Sequence, residues 1–146
     1  MEKTKDYFYT IFQGRRICIV ETLTKEKTIK VFLVDDNPFL LDSLQFLLER
    51  QGDLKVVGKS LRGKGVLPKL KRAKPDVVVL DVRLGDSDGL LLLEKIRQNL
   101  PLPVVMLSMY EEYREYALRL GAFAYLVKGK DLEELYQTLR LATLSL

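Results

Sequence analysis

The stretch Ile29-Lys30-Val31-Phe32-Leu33-Val34-Asp35-Asp36-Asn37-Pro38 (residues 29–38) passes from a largely apolar run to two carboxylates and then to a helix start. The run is too short for a helix and rich in branched and aromatic residues, so it reads as a buried strand. Asn37 is a good N-cap and Pro38 suits the first helical position. A helix should therefore begin there and continue to about Arg50, with Leu41, Leu44, Leu47 and Leu48 on its inner face and Gly52 ending it.

Outward from this stretch the same grammar repeats. Leu54–Gly58 reads as a second, shorter strand. Val77–Leu80, Pro103–Leu107 and Phe123–Val127 read as three more, followed directly by Asp81, Ser108 and Lys128. Between them the sequence predicts helices over about Gly65–Ala73, Gly89–Asn99 and Tyr110–Leu120, the last closed by Gly121. Arg83–Asp88 is a loop with turn formers at Gly85 and Asp86. Asp131 and Glu134 form a capping box for a final helix reaching about Leu144. Strands alternating with helices call for a parallel sheet covered on both faces, a three-layer α/β/α architecture. In open sheets of this type ligands bind beyond the carboxyl ends of the strands, where Asp35, Asp36, Asp81, Ser108 and Lys128 fall.

With 146 residues, 47% hydrophobic and 30% charged, the chain suits one domain with a proper core. The expected division is a domain over residues 28–146 and an extension over 1–27, either a hairpin of Tyr7–Phe12 with Arg16–Thr22 or a mobile arm. The net charge of +4 argues for solubility and little else. Cys18 has no internal partner, which fits a reducing cytosol, and Gln13–Arg16 interrupt the amino-terminal apolar stretch below signal-peptide length. No run approaches a membrane span of about 20 apolar residues. A cytoplasmic protein without membrane contact is expected. Histidine is absent. That excludes Ser-His-Asp and Cys-His nucleophilic sites and histidine metal ligands, so any chemistry runs through carboxylates, lysine or a hydroxyl.

Segment 28–146, about four fifths of the chain, resembles the receiver domain of bacterial two-component response regulators. The matching elements are Val34-Asp35-Asp36-Asn37-Pro38, Val79-Leu80-Asp81-Val82 with Asp88-Gly89 downstream, Leu107-Ser108, and Gly121-Ala122-Phe123-Ala124-Tyr125-Leu126-Val127-Lys128. The Asp-Asp-Asn-Pro and Tyr-Leu-Val-Lys segments are most similar to the NarL/FixJ-like branch, in which a helix-turn-helix DNA-binding domain usually follows. The resemblance implies a flavodoxin-like, five-stranded parallel sheet of order 2-1-3-4-5.

It also implies a chemistry. Asp81 would accept a phosphoryl group from a partner sensor histidine kinase, with Ser108 and Lys128 contacting the transferred group. Three clustered carboxylates repel, each pair at 4 Å by about 4 kcal/mol at an effective dielectric near 20, and so call for a cation. Mg²⁺ suits such oxygen ligands. By resemblance its ligands are Asp36 and Asp81, Asp35 mainly through water, and the backbone carbonyl of Arg83. Ser108 and Tyr125 would form the switch, the aromatic turning inward on phosphorylation. The face of the fourth helix, fifth strand and fifth helix would then bind an effector or a second copy. Arg83 and Tyr110 would flank the phosphate and lengthen its life, and Gly85 and Gly129, where the family often has proline, imply looser loops.

Two alternatives accompany this reading: the receiver part of a DNA-binding transcriptional regulator, and a receiver-fold interaction module working without phosphorylation. Catalysis would be limited to the chain's own phosphotransfer and dephosphorylation, since a phosphatase with an aspartyl nucleophile would need a second carboxylate where Arg83 stands. Lys59, Arg62, Lys64, Lys69, Lys71, Arg72 and Lys74 make a basic stretch without interleaved aromatics. It reads as a solvated helix face before it reads as a surface for acidic partners or nucleic acid, and no direct nucleic-acid contact is expected. Tyr110, Tyr113 and Tyr116 form a stripe on the fourth helix, suited to packing or to a partner.

Overall fold

A computed structural model describes residues 9–18 and 27–144. Tyr7, Phe8 and residues 19–22 of the expected hairpin lie outside the described residues. Tyr9–Phe12 (β1) and Arg15–Cys18 (β2) pair antiparallel as a separate two-stranded sheet. Gln13 and Gly14 both take positive φ, as a tight two-residue hairpin turn requires. The Arg15 guanidinium lies 4.7 Å over the Phe123 ring, a contact between the hairpin and the main domain.

The main sheet contains Ile29–Val34 (β3), Leu54–Ser60 (β4), Val77–Leu80 (β5), Val104–Ser108 (β6) and Ala124–Val127 (β7). All pairings are parallel, in the spatial order β4-β3-β5-β6-β7. Numbered within this sheet alone, that is 2-1-3-4-5. Period-two alternation divides the strand side chains between two cores. Val31, Leu33, Val79, Val105, Leu107 and Leu126 face one side, where Pro38–Glu49 (α1) and Leu132–Ala142 (α5) supply Leu41, Leu44, Leu48, Leu135 and Leu139. Phe32, Val34, Val78, Leu80, Val104, Met106 and Tyr125 face the other. There Val66–Ala73 (α2), Gly89–Asn99 (α3) and Arg114–Arg119 (α4) supply Val66, Leu70, Leu93, Ile96 and Ala117. Each such large aliphatic side chain, fully buried, contributes about 1.5–3 kcal/mol.

Beyond shifts of one or two residues at element ends, such as β6 running Val104–Ser108 and so taking in Ser108 where Pro103–Leu107 was expected, three elements differ from the sequence reading. β4 continues past Gly58 to Ser60, because Lys59 and Ser60 still pair with Leu33 and Val34 and the Ser60 carbonyl accepts the Asp35 N–H at 3.1 Å. At the last helix Asp131 Oδ1 accepts from the Glu133 N–H at 2.9 Å, one residue before the Glu134 position that a capping box would use. The fourth helix is not continuous over Tyr110–Leu120. Tyr110 is extended, Glu111–Tyr113 form a 3₁₀ turn, and regular helix starts only at Arg114. The cause is tertiary: the Tyr110 N–H donates to Ser108 Oγ at 3.1 Å and its carbonyl accepts the Tyr125 hydroxyl, so this peptide is unavailable to a helix.

Candidate functional site

The parallel sheet puts the ends of its central strands side by side. β3 neighbours both β4 and β5, so the chain winds in opposite directions from it, and the crevice at such a reversal is the usual ligand position. Asp35 follows β3 and Asp81 follows β5, each held by its backbone: Asp35 N–H to the Ser60 carbonyl and Asp81 N–H to the Val34 carbonyl, both at 3.1 Å. Asp35 is 4% and Asp81 7% exposed, while Asp36 beside them is open to solvent. One carboxylate oxygen from each of the three lies within 4.8 Å of the others.

Lys128 follows the edge strand β7 and reaches both buried acids. Its Nζ lies 2.7 Å from Asp35 Oδ2 and 2.9 Å from Asp81 Oδ2. Its backbone N–H donates to the Ser108 carbonyl at 2.8 Å, which fixes the root of the side chain. The second oxygens are also engaged, Asp35 Oδ1 by the Asn37 N–H at 2.9 Å and Asp81 Oδ1 by the Val82 N–H at 2.7 Å. Burial pushes the Asp81 carboxyl above the usual carboxylate range, against the hydrogen bond and charge of Lys128, and the charge of Asp35 pushes the same way. Burial opposes the ammonium of Lys128, but the bonds to Asp35 and Asp81 outweigh it and the net shift is upward. The cluster thus carries more negative charge than one ammonium neutralises.

Gly85 and Gly129, expected to slacken the loops, instead take φ of +73° and +82°. Proline cannot adopt that backbone, which suits glycine at both turns, and the Lys128 ammonium is held by its two carboxylates.

Ser108 ends β6 fully buried, and Tyr125 is likewise fully buried, already turned inward with its hydroxyl on the Tyr110 carbonyl. Across the mouth of the cleft the Arg83 guanidinium lies 4.7 Å over the Tyr110 ring and donates to the Tyr113 hydroxyl at 3.3 Å. Tyr110 and Tyr113 meet edge to face with centroids 6.2 Å apart. The cleft beneath has a volume of about 870 Å³, lined by the three aspartates, Arg83, Tyr110 and Lys128 among others.

Sequence reasoning gave no role to Tyr113 in holding Arg83, or to Met109, which is 66% exposed at the rim. It also gave none to Gly89, although Asp88-Gly89 was among its motifs. Asp88 caps α3 through the Leu90 N–H at 2.8 Å, and the Gly89 N–H donates to the Val82 carbonyl at 2.6 Å. That packs the start of α3 on the backbone of Asp81 and Val82.

An acidic crevice at the carboxyl edge, a lysine bridging two of its aspartates and a buried serine on the next strand define a doubly wound domain built around a carboxylate. The chain belongs to the response regulator receiver domain family, whose model matches residues 31–140. It is 33% identical over 115 residues to the sensory transduction protein LytT of Bacillus anthracis, covering 77% of this chain and 46% of that protein. It is 32% identical over 111 residues to a protein-glutamate methylesterase/protein-glutamine glutaminase of Methanococcoides burtonii, covering 73% and 32% respectively. The chain thus spans about half, or less, of the length of these curated relatives. Among solved structures, the BeF₃-activated receiver domain of Klebsiella pneumoniae RstA matches with a TM-score of 0.72 and 29% identity, covering 78% of this chain and 97% of that one. The receiver domain of the putative response regulator NarL of Mycobacterium tuberculosis matches with a TM-score of 0.71 and 28% identity, covering 77% and 94%. NarL agrees with the branch that the Asp35–Pro38 and Tyr125–Lys128 motifs resemble. Among the described residues, no helix is long and apolar enough to cross a membrane.

Proposed function

We propose that Asp81 is the phosphoacceptor of a two-component signalling module, and that Asp35, Asp36, Asp81 and the backbone carbonyl of Arg83 hold Mg²⁺. The observation that carries this reading is the bridging of two buried carboxylates by Lys128 with a third carboxylate beside them. The donor set fits the ion, since all three side chains offer hard oxygens on one open cleft and their charge exceeds that of the lysine. Bound there, Mg²⁺ supplies positive charge to the transferring phosphoryl oxygens.

The chain's own residues do the rest. An Asp81 carboxylate oxygen attacks phosphorus, the P–N bond to the partner kinase's histidine breaks, and the imidazole leaves with the bonding electron pair. Lys128 stands where it can pass from the carboxylates to the new phosphate oxygens, and the Ser108 hydroxyl can donate to another. Neither step needs a general base on this chain, in keeping with the missing histidine. The phosphate adds about −1.5 to −2 charges, drawing on Ser108, and Tyr125 and the α4–β7–α5 face relay the change to an effector or a second copy.

In this reading residues 28–146 are the receiver and 1–27 an extension. The protein works in the cytoplasm, catalyses only its own phosphotransfer and dephosphorylation, and makes no direct nucleic-acid contact. Incubation with a small-molecule phosphodonor and Mg²⁺, followed by intact mass, should show one added phosphoryl group. Its absence, or its persistence in Asp81→Asn, would overturn the proposal.

A further inference from the structure

The outer face of α2 and α3 adjoins the acidic cleft, with which its groove shares the loop residues Asp86, Ser87 and Asp88, and has an unusual distribution of charge. Between Asp53 and Asp76 there is no acidic residue, whereas lysines and arginines recur throughout. Lys64, Lys69, Lys71, Arg72 and Lys74 are all exposed. Lys59 is tied to Asp42 at 3.0 Å, but these five make no ion pair among the described residues.

Beside this positive surface runs a groove of about 560 Å³ between the start of α2 and the outer side of α3. Leu67, Pro68, Leu91 and Leu92 line it, and Leu91 is 58% exposed, a large cost for an aliphatic side chain with nothing over it. Both helices begin at the carboxyl edge of the sheet. One turn further along each, at the i+4 positions, the apolar lining gives way to cations: Leu67 to Lys71, Pro68 to Arg72, and Leu91 to Lys95. The groove is therefore closed at its top by Asp86 and Asp88, apolar along Leu67, Pro68 and Leu91, and bordered by cations about 6 Å lower, four residues along each helix.

We infer that this groove is a docking site for an acidic amphipathic segment of a partner protein, distinct from the phosphoacceptor cleft and from the α4–β7–α5 face. Apolar side chains of the partner cover Leu67, Pro68 and Leu91, and its carboxylates, one turn away, meet Lys71, Arg72 and Lys95. Charge complementarity selects the acidic partner. Nucleic acid fits poorly, because residues 54–75 hold no aromatic on which bases could stack and the apolar lining offers nothing to phosphate.

The test uses the full chain and a labelled synthetic helical peptide with leucines at i, i+3, i+4 and i+7 and glutamates elsewhere, read by fluorescence anisotropy. Saturable binding is expected, weakened about tenfold by the charge reversal Lys71→Glu/Arg72→Glu and, separately, by Leu91→Ser. All these positions are on the surface, so both variants should stay folded, with Tm lowered only by the few degrees that two reversed charges in the last turn of α2 cost. Both variants should still take a phosphoryl group on Asp81, which keeps this result separate from the fate of the proposed phosphotransfer. Absence of binding, equal binding by the variants, equal binding of a polyglutamate peptide without leucines, or tighter binding of a labelled DNA duplex would each overturn the inference.

Discussion

Gly89→Ala probes how closely the proposed phosphoacceptor, Asp81, depends on the helix behind it. A Cβ built on Gly89 falls 1.9 Å from the Asp81 carbonyl oxygen, 2.7 Å from that of Val82 and 2.9 Å from the Asp81 carbonyl carbon. Such contacts essentially never fall below 3.0 Å, so α3 or the end of β5 must move by about 1.1 Å. The obstructing atoms are backbone and cannot swing aside as a side chain would. Overpacking of this kind costs about 1–3 kcal/mol. Stretching the 2.6 Å hydrogen bond from the Gly89 N–H to the Val82 carbonyl adds about 1 kcal/mol. The better helix propensity of alanine returns less than about 1 kcal/mol in the first turn. A net loss of about 1–4 kcal/mol lowers Tm by roughly 3–16 °C for a domain of this size. The strain falls on Asp81 itself, and a displacement of about 1 Å at a reacting group slows chemistry by up to 10²-fold. Thermal melting by circular dichroism and phosphoryl uptake by intact mass should therefore both report the change. A Tm within about 2 °C of the parent together with an unaltered uptake rate would refute the reasoning.

Other perturbations separate the remaining roles. Lys128→Met leaves Asp35 and Asp81 facing each other without their ammonium, so phosphoryl uptake should fall by about 10²-fold while the protein remains folded in excess Mg²⁺. Removing Mg²⁺ with a chelator should abolish uptake from the phosphodonor in the parent protein and restore it on re-addition, as followed by intact mass. Arg83→Ala and Tyr110→Ala remove the two halves of the stack across the cleft, and each should speed loss of the phosphoryl group several-fold in a time course. Away from the site, Arg140 grips Asp53 with both prongs of its guanidinium, at 2.8 and 3.0 Å, and the hydrogen bond from Arg140 holds the Asp53 carboxyl below the usual range. A depressed carboxylate stabilises the fold above its unfolded pKa and loses that contribution as pH falls through its folded value. Asp53→Asn should thus cost about 1 kcal/mol at pH 7, and the difference from the parent in urea unfolding should begin to shrink as pH falls below about 4 and vanish only below the depressed folded value.

Much of this architecture is local in origin, which is why the sequence shows it. The short apolar runs of β3, β5 and β6, the Asn37-Pro38 helix start and the polar residues at the strand ends are written within a few residues of one another. What escaped were features whose cause lies across the fold. Tyr110 looks like a helix start, yet Ser108 and Tyr125 hold its peptide extended. Ser60 looks like loop, yet pairing with Val34 keeps it in the sheet. Gly129 suggests slack around Lys128, yet two carboxylates from β3 and β5 hold the ammonium. The stacking of Arg83 on Tyr110 needed the separation of β5 from β6, and the crowding at Gly89 needed the path of α3, neither of which is a pattern of residue types.

The inward Tyr125 bears on how wide a range of signal such a domain can give. Under the proposed switch, the ring held inward by the Tyr110 carbonyl is the signalling arrangement, and the share of molecules that adopt it before any phosphoryl group arrives sets that range. If the two arrangements were about evenly populated at rest, full modification could raise the active fraction only about twofold, whereas a resting ratio near 1:99 would allow about a hundredfold. A domain poised near even populations would give up contrast for readiness: its basal output would be high, and a small change in affinity at the α4–β7–α5 face would suffice to tip it.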